Sequence, residues 1–141
     1  PIYESQIKAN GAVGVPIYLR EDRNFSFDLQ ELADKITPRT KLLILNSPQN
    51  PTGGVLTRED LKLIAETAAK HRVWVLADEI YAEILYDGRF ESISQFPDIR
   101  ERLIILDGFS KTFAMTISSM YLPSLKNFIG IRPTSLNPNF R

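Results

Sequence analysis

Cysteine is absent from the 141 residues, and histidine occurs once, at His71. The first absence removes disulfides, thiolate metal sites and cysteine nucleophiles together. The second leaves too little for a histidine metal cluster or a Ser-His-Asp triad, and His71 itself reads as a helix-end residue. Net charge is missing as well, because 17 basic side chains balance 17 acidic ones. No overall field therefore draws the chain to nucleic acid or to an anionic membrane. The longest apolar runs, such as Val73–Ala77, reach five residues, against about 20 for a membrane span. Residues 1–10 lack the basic start and apolar stretch of a leader. These absences set the expectation of a soluble cytoplasmic protein. Acidic residues stop at Asp107, and the 34 residues from Gly108 to Arg141 contain none while holding Pro123, Pro133 and Pro138.

Against these absences stands an ordinary globular composition, 43% hydrophobic and 24% charged, over a length that suits one domain. Val13 to Leu19 is β-prone, with Pro16 arguing for an edge position. Asp28 and Glu31 have capping-box spacing, and Leu29, Leu32, Ala33 and Ile36 follow at i, i+3, i+4 and i+7, which predicts a helix with one buried face. Leu42–Leu45 is an unbroken apolar run that ends in a turn signal, Asn46-Ser47-Pro48. Thr57 and Asp60 predict a second capped helix, with Leu61, Ile64, Ala65, Ala68 and Ala69 inward. Val73–Ala77 and Leu103–Leu106 are two more apolar strands, and Trp74, Phe109 and Phe113 read as core. Glu79 and Glu83 read as surface or packing positions.

Strands apolar on both faces, joined by amphipathic helices, predict an α/β fold with a mostly parallel sheet and helices on both faces. In such sheets the ligand sits outside the carboxyl ends of the strands. That rule selects residues 46–54, 78–81 and 107–111, which should converge at one edge. Lys111 lies there. A free lysine has a pKa of about 10.4 and is a poor nucleophile, but one held in a cofactor pocket can form a Schiff base. Pyridoxal 5'-phosphate (PLP) would then act as an electron sink, best with its ring nitrogen protonated. A carboxylate against that nitrogen favours the charged form, and Asp78 follows directly on a buried strand. Tyr81 and Asn50 could donate to the ring's phenolic oxygen. Taken singly, each has a bland reading: Asp78 as a strand-end cap, Tyr81 as half-buried packing, Asn50-Pro51-Thr52-Gly53 as a plain turn, Lys111 as a solvated charge. Their joint occurrence favours the cofactor.

Asn50-Pro51-Thr52-Gly53, Asp78-Glu79-Ile80-Tyr81 and Ser110-Lys111-Thr112-Phe113-Ala114-Met115-Thr116 resemble three successive signatures of the class I/II aminotransferases, the fold-type I PLP enzymes. The spacings are 28 residues from Asn50 to Asp78 and 33 from Asp78 to Lys111. The wording is most similar to aspartate- or aromatic-type members. A PLP-dependent β-lyase on the same fold and a non-catalytic fragment or decayed gene product are the other readings. The resemblance implies that Lys111 holds PLP and then shuttles a proton, that Asp78 pairs with the ring nitrogen, and that Tyr81 and Asn50 hydrogen-bond the phenolic oxygen. It also implies that Asn50 helps position a substrate-binding arginine, and that Ser110 contacts the phosphate. Gly108 stands where many relatives have a phosphate-binding serine. Substrates would be an amino acid and a 2-oxo acid, and the full-length form a homodimer. Residues 1–116 are thereby expected to form part of the PLP-binding large domain. Residues 117–141 read as a divergent or aberrant tail, with the small domain absent and poor packing expected after Met120. In particular, Ser119 stands where the resemblance leads one to expect a phosphate-gripping arginine, so the segment is expected to be inactive alone.

Overall fold

The computed structural model describes residues 2–114. The expectations for the tail 117–141 and for packing after Met120 lie outside them. Among the described residues, four α-helices and three strands, with short 3-10 turns between, follow in the order α1 (Ile2–Ala9), α2 (Leu29–Lys35), β1 (Leu42–Asn46), α3 (Arg58–His71), β2 (Trp74–Asp78), β3 (Leu103–Leu106) and α4 (Phe109–Thr112). The strands form one parallel sheet in the order β1-β2-β3. Parallel pairing needs a crossover between consecutive strands. α3 supplies the first, and two 3-10 segments, Ile93–Gln95 and Pro97–Arg102, lie in the second.

The register gives the sheet its functional edge. Asn46 pairs with Asp78, and Asp78 with Leu106, so three strands end side by side. Full burial within the sheet is confined to the central strand, where Val75 and Ala77 alternate with half-buried neighbours, while β1 and β3 are the two edges. The core gathers Leu61, Ile64, Ala65 and Ala68 of α3 with Val73, Val75, Ala77, Ile93 and Ile99, joined by Phe27, Leu32 and Leu56.

Local chemistry sets the helix ends. Thr57 accepts the amide of Asp60 at 3.1 Å, and Asp60 accepts that of Thr57 at 3.0 Å, the reciprocal capping box that the spacing predicts for α3. At α2 the box is only half made. Asp28 caps the amides of Gln30 and Glu31 at 2.8 and 3.1 Å, but the Glu31 side chain turns away to Lys35 at 2.6 Å and to the amide of Tyr18. Leu32 alone of the expected α2 face is fully buried; Leu29 and Ala33 are exposed.

Two expectations need correction, and one element was missed. Val13 to Leu19 joins no sheet: its backbone is tied instead to α2 side chains, through Lys35 to the Pro16 carbonyl and Glu31 to the Tyr18 amide. Strand-forming side chains do not make a strand when the backbone groups find other partners. α1 was not legible in the pattern, because none of its residues is fully buried and only Tyr3 and Ile7 are half-covered. Phe113, just past the end of α4 at Thr112, is 60% exposed rather than core.

Ile64 is 1% exposed at the centre of the core. Ile64→Ala is expected to cost about 2–5 kcal/mol of unfolding free energy, and Thr57→Ala about 1 kcal/mol. Urea unfolding of the two variants checks this ranking. Equal midpoints for Ile64→Ala and the parent chain would contradict the placement of α3 on the sheet.

Candidate active site

The loop after β1 is built to present Asn50. Gln49 donates its amide to the Gly54 carbonyl at 2.9 Å and accepts that of Gly53 at 2.8 Å, closing a tight turn. Gly53 sits at φ +74, where a side chain would be strained. Within this turn the Asn50 amide donates to the Asn46 side chain at 3.1 Å, and the Asn50 side-chain amide donates to the Tyr81 hydroxyl at 3.1 Å. Tyr81 keeps its own phenolic proton free to donate elsewhere.

Asp78 is fixed at the end of β2. Its carbonyl accepts the Ser47 amide and the Asn46 side chain, each at 3.2 Å, and the next residue's amide donates to Leu106 at 2.9 Å. Its carboxylate accepts the Tyr3 hydroxyl on Oδ2 and the Ile80 amide, at 3.3 Å, on Oδ1. The group is half-buried. Lys111 comes from the turn after β3. Its Nζ lies 5.8 Å from the centre of the Tyr81 ring, within cation–π range. Gly108 permits this turn to pass close to β2, because an added Cβ would meet Ile80 Cδ1 at 3.2 Å. Ile80 would have to give way to any larger residue placed there.

Contacts therefore tie Asn50, Tyr81 and Lys111 into one cluster, and tie Asp78 to the same loop through Asn46. Ser110, half-buried, joins them only as the neighbour of Lys111 in α4. Two residues at the site were not named as candidates by the sequence reading. Asn46 was legible only as a turn former, yet its amide bridges Asn50 and Asp78. Tyr3 lies 75 positions from the carboxylate it touches, a separation no spacing rule covers.

Glu79 is a further charged group at this edge. Its Oε1 accepts the Ser92 hydroxyl at 3.0 Å and the Ile93 amide at 3.3 Å, so it pins the loop after β2. Burial raises its pKa above the usual carboxyl range, opposed by these two hydrogen bonds and aided by the nearby Asp107 charge.

The comparisons agree with this architecture. The family described as aminotransferase class I and II matches residues 1–117. Aromatic-amino-acid aminotransferase 2 of Thermococcus litoralis is 47% identical over 105 residues, covering 74% of this chain and 26% of that protein. Aspartate aminotransferase of Sulfurisphaera tokodaii is 40% identical over 118 residues, covering 81% and 29%. Among solved structures, aspartate aminotransferase from Thermus thermophilus with maleate superposes with a TM-score of 0.77 at 36% identity, over 81% of this chain and 29% of that one. Fold and motifs together define a fold-type I α/β protein of the aspartate aminotransferase kind. The chain belongs to the class I and II aminotransferase family. It spans less than a third of the length of these relatives. Among the described residues no helix is long and apolar enough to cross a membrane.

A carboxyl group whose folded pKa is raised binds its proton more tightly in the folded state, so its stabilising share is complete at low pH and is lost as pH rises through the folded pKa. Glu79→Gln keeps an acceptor for Ser92 and Ile93 but removes the titration. Unfolding free energy measured from the usual carboxyl range upward should fall less steeply for Glu79→Gln than for the parent chain. Parallel pH profiles would contradict the burial of Glu79.

Proposed function

We propose that this chain is the cofactor-holding part of a PLP-dependent aminotransferase, which moves an amino group from an amino acid to a 2-oxo acid. The observation that carries the reading is the grouping of one amine, one carboxylate, one phenol and one carboxamide at a single sheet edge. Lys111 Nζ lies by the Tyr81 ring, Asn50 donates to the Tyr81 hydroxyl at 3.1 Å, and Asp78 ends the adjacent strand. This donor set suits PLP, with its aldehyde, ring nitrogen and phenolic oxygen. The family match supports the assignment.

Bound PLP supplies an electron sink for the charge left when the substrate Cα loses a proton. Lys111 would hold the cofactor covalently and, once displaced by substrate, carry the proton at Cα. Asp78 would pair with the ring nitrogen and favour its charged form. Tyr81, its oxygen already accepting from Asn50, would donate its proton to the phenolic oxygen. Ser110 is proposed as a phosphate contact. The relatives' names, aspartate and aromatic-amino-acid aminotransferase, make such amino acids the first substrates to try. A cytoplasmic homodimer is the proposed working form. Ser119 in place of an arginine favours a second reading for the chain by itself, one that binds PLP without turning substrate over.

Incubation with PLP followed by borohydride reduction is expected to add one cofactor to the peptide containing Lys111, read by mass spectrometry. Lys111→Ala should show no adduct, and amino transfer to 2-oxoglutarate by the 141-residue chain should be unmeasurable. An equal adduct in Lys111→Ala would remove Lys111 from its role.

A further inference from the structure

Asp78 is gripped on both oxygens, and one of the two grips has no part in the chemistry above. Oδ1 accepts the amide of Ile80, a contact local to the strand end. Oδ2 accepts the hydroxyl of Tyr3, which comes from the first turn of α1 and is half-buried against the sheet edge. A carboxylate has about two acceptor positions on each oxygen. Both oxygens are therefore held, and each retains a position for a further donor. A carboxylate that rotates freely loses orientation each time it must meet a ring nitrogen; one pinned at both oxygens does not.

We propose that Tyr3 is a positioning residue, whose hydroxyl fixes the Asp78 carboxylate in the orientation that the cofactor's ring nitrogen requires. The proposal rests on the PLP reading and deepens it. Tyr3 suits the task because its proton stays in place: burial, then the hydrogen bond and the charge of Asp78, raise its pKa well above the ordinary phenol range. The raised pKa favours the neutral phenol, which donates to the carboxylate and brings no charge of its own to compete with the ring nitrogen. A purely structural Tyr3 would anchor α1 and leave Asp78 working as before. The two roles differ in how Tyr3 and Asp78 depend on one another.

The test is a double-mutant cycle on the 141-residue chain, with PLP as the probe and the visible absorbance of the bound cofactor as the readout. Tyr3→Phe keeps the ring and removes the hydroxyl. It is expected to weaken PLP binding about tenfold, the usual scale for a hydrogen bond to a charged group, and to move the pH at which the bound-cofactor band changes. In an Asp78→Asn background the same substitution should change affinity less than twofold, because the carboxylate it positions is gone. Equal tenfold losses in both backgrounds would overturn the proposal, as would a Tyr3→Phe chain that binds like its parent. A parent chain giving no borohydride-fixed adduct at Lys111 would sink the cofactor reading and the positioning role together, whereas an adduct indifferent to Tyr3→Phe would sink Tyr3 alone. Ultraviolet titration without PLP checks the contact itself. The parent-minus-Tyr3→Phe difference should show a phenol titrating above the usual range, returning toward it in Asp78→Asn; an ordinary titration in the parent would overturn the proposal.

Discussion

The parallel ladder that sets Asn46 beside Asp78, and Asp78 beside Leu106, is the constraint on which the site depends. Parallel strands end at the same edge, so three loops far apart in sequence must emerge together. The register matters as much as the direction. A slip of one residue would turn Asp78 to the other face of the sheet, breaking the Asn46 bridge and carrying the carboxylate away from Tyr3. What fixes the register is the buried side of β2, where Val75 is fully covered and Ala77 nearly so beneath α3 and the 3-10 segments. Core packing and site geometry are thus one problem solved once.

Among the described residues, Asp78 and Glu79 are met at this edge by hydrogen bonds and not by ion pairs. The Asp78 carboxylate is answered by a phenol and an amide, and Glu79 by a serine hydroxyl and an amide. Such neutral donors hold a carboxylate by hydrogen bonds and bring no opposite charge to it. Glu79, one residue on, points its acceptor into the 3-10 loop and serves the scaffold. Two adjacent acids divide the labour because successive side chains of a strand end leave on opposite sides.

Strong local signals made most of the fold legible. Leu42–Leu45 and Leu103–Leu106 are unbroken apolar runs of strand length, and the Thr57–Asp60 box marks the start of α3 to the residue. Asn50, Asp78, Tyr81 and Lys111 were legible as candidates because each follows a strand where ligands gather. The rest depended on information that a linear pattern lacks. Val13–Leu19 has strand-forming side chains, but pairing depends on a partner edge, and here α2 side chains take its backbone groups instead. α1 buries no residue fully, so its apolar period is too weak to announce a helix. Tyr3 and Asn46 act through contacts created by the fold itself, one of them across 75 positions.

The central claim is that the carboxyl edge of this sheet is a PLP pocket formed by residues of β1, β2 and their loops together with Lys111. Backbone amide chemical shifts recorded by NMR on the isotopically labelled chain, with and without PLP, test it most directly. The account predicts that the largest shifts cluster at residues 46–54, 78–81 and 107–111, while α3 and the 3-10 segments stay still. Large shifts confined to other surfaces, or none at these three segments, would contradict it.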